Sequence, residues 1–190
     1  MAFSGQCEWL GTLNNSILAD SFMSYKPILA TLGYVFSPDR QSVLMIHRDA
    51  RPLDAHFGKY NGLGGKLEPD EDVVSGLCRE IREEAGIKCE SIDLAGTISW
   101  PGFGKNGEDW FGFVFRITQF SGSPLSSNPE GSLEWVEVKR VLSLPLWEGD
   151  QFFLPMVFDF NSPQFFGIMP YNNGSHVSWY FTTLSLSVKC

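Results

Sequence analysis

The chain is short of the residues that build zinc knuckles, disulfide staples and nucleic-acid surfaces. It has four cysteines, Cys7, Cys78, Cys89 and Cys190, and no two stand as a CxxC pair. Its three histidines, His47, His56 and His176, make no zinc spacing with them, which excludes a sequence-legible zinc module. Scattered thiols of this kind read as reduced side chains of a cytoplasmic protein. Basic residues are also scarce. Lys and Arg number 14 against 22 Asp and Glu, for a formal net charge of −8. A surface of that sign repels duplex phosphate, so no duplex nucleic-acid partner is expected. A small phosphorylated ligand is compatible with it if metal ions screen the charge. No basic residue precedes Lys26, so no signal peptide is expected. No apolar run nears the roughly 20 residues of a membrane span, and no membrane partner is expected.

What is present suits one folded domain. Hydrophobic residues make up 43% of the 190 and aromatics 14%, too many for a disordered chain. Residues 1–26 are small, polar and weakly patterned. Two readings stand for them: an extension upstream of a true start at Met23, or a short arm that packs Trp9 and Leu10 on the body. From Pro27 onward, apolar and alternating segments read as strands, with turn residues such as "SPDRQ" between them. "SIDLAGTISW" and "DWFGFVFRITQF" alternate as paired strands around the glycine-rich loop "PGFGKNGE". A second helix is expected from about Glu148, and "QFFGIMPY" and "HVSWYFT" form a closing hairpin through "NNGS". Antiparallel hairpins dominate this reading, in an α/β (α+β) domain over residues 27–183 with a tail at 184–190.

The stretch "GGKLEPDEDVVSGLCREIREEAGI", Gly64–Ile87, holds an unusual number of carboxylates. The spacing predicts a helix from Val73 to Ala85, with Asp72 as N-cap and Gly86 as the terminating glycine. On a wheel with Glu80 at zero, Glu83 falls at about 300° and Glu84 at about 40°. These three share one stripe. Val74, Leu77, Cys78, Ile81 and Ala85 form a separate stripe facing the core. Gly76 falls within the acidic stripe, where it costs the helix about 1 kcal/mol and leaves room above the carboxylates. Glu80 and Glu84 repel at i,i+4, and both stand at the wrong end of the helix dipole. A divalent cation with a preference for oxygen, Mg²⁺ or Mn²⁺, removes both penalties. The alternative is a solvated face with Arg79 and Arg82 in surface pairs.

The flanking pattern decides between them. Gly65, Glu71, Arg79, Glu80, Ile81, Glu83, Glu84, Gly86 and Ile87 stand at the spacing Gx5Ex7REUxEExGU, with U apolar. The segment thus resembles the signature of the Nudix hydrolases at all nine specified positions. The resemblance implies a Nudix fold, a mixed curved sheet between helices in α/β/α layers. It implies a Mg²⁺-dependent (or Mn²⁺-dependent) pyrophosphohydrolase. By position, Glu83 and Glu84 resemble the metal-chelating pair, Glu80 is a ligand or the general base, and the Gly64 carbonyl is a further ligand. Arg79 would orient a catalytic glutamate, and Glu71 would pair with it and pin the loop. A last carboxylate from outside the motif is assigned to Glu108, with Asp109 as the alternative.

Substrate class comes from more distant resemblance. "YNGLGGK" is similar to the "NGFGGK" segment of MutT-type oxidised-purine nucleoside triphosphatases. "LPLWEGDQFFLPMVF" resembles their Trp-Pro-Asp-Asp segment. By that matching Asn61 and Asp150 read purine edges, Trp147 stacks on the base, and Lys66 joins the substrate-binding set. Gly149 stands where that family has another acid. The implied reaction cleaves an oxidised purine nucleoside triphosphate, such as 8-oxo-dGTP, to monophosphate and pyrophosphate, in nucleotide-pool sanitation. Other nucleoside diphosphate derivatives (a dinucleoside polyphosphate, ADP-ribose, an RNA 5′ end) and a non-catalytic nucleotide sensor are the alternatives. The oligomeric state, monomer or homodimer, stays open.

Overall fold

The computed structural model describes residues 25–53 and 56–183. The N-terminal readings, Cys7 and Cys190 therefore lie outside the described residues. In chain order the elements are β1 (Ile28–Phe36), β2 (Ser42–His47), β3 (Tyr60–Asn61), α1 (Val73–Ala85), β4 (Lys88–Trp100) and β5 (Trp110–Ser121). Then follow β6 (Ser127–Asn128), β7 (Gly131–Glu137), α2 (Val138–Val141), α3 (Asp150–Phe158), β8 (Phe165–Ile168), β9 (Tyr171–Asn172), β10 (Ser175–His176) and β11 (Tyr180–Thr183).

One mixed sheet carries the molecule, in the order β11-β8-β4-β5-β1-β2-β7-β6, with β3 added beside β2. Alternation along its central strands explains the layers. Tyr34 and Phe36 of β1, with Val43 and Met45 of β2, join Phe153, Leu154 and Val157 of α3 in one cluster. Val35, Leu44 and Ile46 face the other way and pack with Leu77, Ile81 and Ala85 of α1. Both faces of the sheet are covered, so these strands read as unbroken apolar runs. This is the expected α/β/α sandwich.

Antiparallel pairing does not account for the centre of the sheet. β1 runs parallel to β5, from Ile28 beside Trp110 to Val35 beside Ile117, and β8 runs parallel to β4. Local hairpin signals carry no information about such long-range neighbours. The closing hairpin forms as expected: β8 pairs with β11, and β9 with β10 around Asn173 and Gly174. Both turn residues have positive φ, 50° and 80°, as a tight hairpin turn requires. The helix expected from about Glu148 is α3, which starts at Asp150, and the short α2 ahead of it was not expected.

Helix α1 has the expected bounds and caps. The Asp72 carboxylate accepts from the backbone N–H groups of Val74 and Ser75, and Gly86 is left-handed at φ 72°. Two details differ from the wheel. Val74 is 46% exposed, and its neighbour Val73 packs against the core cluster of Leu77 and Ile81 instead. Gly76 does not clear space over the acids. A Cβ there would run into the Leu67 side chain and lie 2.8 Å from Glu71 Oε1, so the glycine lets the preceding loop close on the helix. Gly76→Ala is therefore expected to lower stability by about 1–3 kcal/mol by overpacking, against its better helix propensity. A melting curve with a higher midpoint for the variant would refute this packing.

Candidate active site

The loop before α1 is laid along β1. Thr31 N–H donates to the Gly65 carbonyl at 2.8 Å, Leu63 N–H to the Gly33 carbonyl at 2.9 Å, and Leu67 N–H to the Leu29 carbonyl at 3.0 Å. Gly64 has φ 138° and faces the backbone of Thr31, whose carbonyl carbon would lie 2.9 Å from a Cβ. Only glycine suits that position. Gly65 abuts the next acid: a Cβ on it would stand 2.5 Å from Glu80 Oε1 and 2.7 Å from Oε2. The two glycines thus bring bare backbone to the helix carboxylates.

Arg79 organises the acids around it. Its Nε donates to Glu71 Oε2 at 3.0 Å and its Nη2 to Glu71 Oε1 at 2.7 Å, a two-point pair. Nη1 donates to Glu80 Oε1 at 2.9 Å and reaches Glu83 Oε2 at 3.5 Å, while Nη2 also donates to the Lys66 carbonyl. Glu71, then Glu80, hold the guanidinium more firmly protonated than usual, and Arg79 holds Glu71 below the ordinary carboxylate range. Glu71 also accepts from Glu68 N–H at 2.8 Å. Glu71 therefore pins the loop to the helix.

Glu84 lies on the other side of the stripe. Its Oε2 accepts from Gly64 N–H at 2.9 Å. Burial, reinforced by the charges of Glu130 and Glu80, pushes its carboxyl up to about 8. No local pattern in the sequence marks Glu130. It sits in the turn between β6 and β7, paired with Arg48 and within 3.7 Å of Arg51. Asn128 fixes this turn: its Oδ1 accepts from Glu130 N–H at 2.8 Å, and its Nδ2 donates to the Glu84 carbonyl at 3.2 Å.

Glu108, the expected acid from outside the motif, lies elsewhere. The Glu108 carboxylate is exposed and spent within its own loop, accepting from the Asn106 backbone and side-chain amides at 2.9 and 2.8 Å. Asp109 accepts from Gly102 N–H at 2.9 Å and braces the same loop. The acid from outside the helix that stands against Glu84 is Glu130. Its turn lies 46 residues from Glu84 in the sequence, and only the β2–β7 pairing brings it there.

The purine-binding candidates do converge. Asn61, Trp147 and Asp150 line one cavity of about 160 Å³ together with Tyr34, Phe103 and Tyr171. The cavity continues to Thr31, Gly64 and Gly65, at the edge of the acidic helix. Trp147 is held by a hydrogen bond from its indole N–H to His56 Nδ1 at 3.1 Å. The Lys59 ammonium lies 5.4 Å from its ring centre. Burial pushes the Asp150 carboxyl up to about 7, offset in part by a backbone hydrogen bond at Trp147 and by the charge of Lys59. Lys66 is exposed, with its ammonium 5.2 Å from the ring centre of Trp110, a cavity wall. Two polar groups of residues that line it, the Thr31 hydroxyl and the Trp110 indole N–H, are buried without a hydrogen-bond partner.

Residues 26–157 match the NUDIX domain. The chain belongs to the NUDIX family. A Nudix hydrolase of Bacillus subtilis is 34% identical over 91 residues, 46% of this chain and 56% of that protein, so the match spans little more than half of the relative's length. An oxidized purine nucleoside triphosphate hydrolase of Danio rerio is 27% identical over 129 residues, 68% of this chain and 78% of that protein. Among solved structures, a MutT protein from Bacillus halodurans is 27% identical, with a TM-score of 0.70 over 81% of this chain and 97% of that one.

In the Nudix helix, Glu80, Glu83 and Glu84 keep the shared stripe that the wheel predicts, yet the structure splits their partners. Arg79 holds Glu80 and Glu83, and Gly64 holds Glu84. Among the described residues, no three His, Cys, Asp or Glu side chains converge closely enough to enclose a metal ion. The chemistry of the donor set nevertheless fits one. Burial, with Glu130 and Glu80, raises the pKa of Glu84 beyond what the Gly64 N–H and the charge of Arg48 offset, and every candidate donor is oxygen. No described helix is long and apolar enough to cross a membrane.

Proposed function

We propose that this Nudix protein hydrolyses an oxidised purine nucleoside triphosphate, of the 8-oxo-dGTP kind, to the monophosphate and pyrophosphate with Mg²⁺ or Mn²⁺. The observation that carries this reading is the single cavity that runs from Trp147, Asp150 and Asn61 to Gly64 and Gly65. A base at one end puts its phosphates at the acidic helix. Trp147 offers a flat face for stacking, Asn61 an amide that both donates and accepts, and Asp150 a carboxyl poised to do either near neutral pH. The relative from Danio rerio, named for oxidized purine nucleoside triphosphates, supports the same substrate class.

Glu84, Glu83, Glu80, Glu130 and the Gly64 carbonyl are the groups that would hold the cation. When bound, Mg²⁺ neutralises phosphate oxygens and lowers the pKa of a coordinated water. Around it the chain supplies orientation. Arg79 fixes Glu80 and Glu83 in place, Glu71 fixes Arg79, and the Gly64–Gly65 backbone leaves the approach to the helix open. Glu80 would serve either as one of those ligands or as the base that takes a proton from the attacking water. Lys66, at the mouth, offers a positive charge to the phosphates. The proposed setting is the cytoplasm, in clearing oxidised nucleotides.

The test is pyrophosphate release from 8-oxo-dGTP, dGTP, ADP-ribose and a dinucleoside polyphosphate, with products identified by mass. A kcat/KM for 8-oxo-dGTP at least about tenfold above that for dGTP is expected, from one or two extra hydrogen bonds to the oxidised base. Cleavage of ADP-ribose or the dinucleoside polyphosphate alone would overturn the reading.

A further inference from the structure

Position 149 is glycine, and the structure shows what fills the room of its missing side chain. A Cβ at Gly149 would meet the Met169 sulfur and lie 2.6 Å from the Tyr171 hydroxyl oxygen. Tyr171 lines the same cavity as Asn61, Trp147 and Asp150. It is held firmly there. Its backbone N–H donates to the Pro101 carbonyl at 2.7 Å, and its ring meets Phe103 edge-on at 4.9 Å. Gly102 allows close approach: a Cβ on it would stand 2.7 Å from the Tyr171 carbonyl oxygen.

The hydroxyl itself is weakly engaged. It stands 3.5 Å from the Met169 sulfur, a poor acceptor. Burial first, then the charges of Asp150 and Glu148, keep the phenol protonated well above its ordinary range. A neutral O–H is therefore present beside Asp150, free to bond something stronger than a thioether.

We propose that Tyr171 is a specificity-determining residue of the base pocket, its hydroxyl donating to an oxo group of the oxidised purine from the space a side chain at position 149 would fill. The inference rests on the purine reading above. An ionised carboxylate at that place can only accept, whereas a phenol donates to a carbonyl. With Asp150 as the neighbouring acceptor, the pair matches a base edge that carries C=O next to N–H. A 6-amino purine presents the reverse order and leaves one of the two groups unpaired, which a closed pocket penalises.

Tyr171→Phe removes the hydroxyl and keeps the ring. Binding of 8-oxo-dGMP, followed by quenching of tryptophan fluorescence, is expected to weaken about tenfold, as for one lost hydrogen bond. In turnover, KM for 8-oxo-dGTP should rise by a similar factor with kcat within about twofold, and the preference for 8-oxo-dGTP over the 6-amino nucleotide dATP should shrink. The melting midpoint should stay near that of the parent, which separates this role from a structural one. Gly149→Ala, which crowds the same hydroxyl, should shift the preference in the same direction. Equal 8-oxo-dGMP affinity and an unchanged preference ratio in Tyr171→Phe would overturn the proposal and leave the purine reading standing. If the parent protein binds no purine monophosphate, the purine reading fails and this proposal with it.

Discussion

Replacing Glu84 with glutamine is expected to lower pyrophosphate release by about 10²–10⁴-fold at saturating Mg²⁺. The substitution keeps the shape of the side chain and leaves an amide where a carboxylate was. Its cause is local. Glu84 is the acid of the stripe with no cationic side chain pairing it directly, and burial already raises its carboxyl to about 8. A cation that binds there must displace the proton. Apparent Mg²⁺ affinity of the parent should thus climb up to tenfold per pH unit below pH 8 and level off above it. The Glu84→Gln protein should lose that pH dependence along with the Mg²⁺-induced rise in melting midpoint. Undiminished turnover in the variant, or a parent affinity for Mg²⁺ that is flat between pH 6 and 8, would refute the assignment.

The second large effect concerns stability, and its sign is opposite to the usual one for an acid. Asp150→Asn is expected to stabilise the folded protein at pH 8 while weakening purine turnover. The Asp150 carboxyl rises from 3.8 to about 7 in the fold, chiefly through burial. The folded state therefore binds the proton more tightly than the unfolded chain. The stabilisation from this group is complete below about pH 4, declines as the pH climbs toward 7, and is gone above that. A shift of about three units corresponds to at most about 4 kcal/mol, or a melting midpoint on the order of 10 °C. Melting curves between pH 4 and 8 test it: the parent midpoint should fall across that window relative to the variant. Parallel profiles would show that Asp150 titrates normally. A residue that costs stability at neutral pH and yet faces the cavity is the pattern expected where binding, not folding, sets the side chain.

Much of the site was legible because its parts are close in the chain. The nine spaced positions between Gly65 and Ile87 all sit on one loop and one helix. Helical geometry alone puts Glu80, Glu83 and Glu84 on one stripe, and the structure agrees. Asp72 and Gly86 follow from the same local rules, whereas the Arg79–Glu71 pair was implied by the resemblance to the signature. The wheel failed at Val74 and misjudged Gly76, since it describes an isolated helix. Which valine the core takes and where Leu67 packs are properties of the neighbours.

Strand pairing decides the next level. Glu108 lies nearer to the helix in sequence than Glu130 does, but its loop turns inward and binds its own carboxylate. Glu130 reaches Glu84 because β7 pairs with β2, Asn128 ties the turn to the end of α1, and Gly131 permits close passage beside His47. Tyr171 and Phe103 entered the cavity beside Trp147 in the same way, from segments whose composition announces only a turn and a glycine-rich loop.

The amino-acid order by itself settled the mixture of strands and helices and the limits of the acidic helix, because each depends on periodicity and spacing within a few turns of backbone. Only the folded arrangement decided which distant carboxylate joins Glu84, which hydroxyl takes the place of a side chain at Gly149, and how far burial moves Asp150. Those outcomes depend on parallel pairing of strands far apart in the chain and on the dielectric of a cavity. Neither exists until the sheet has closed.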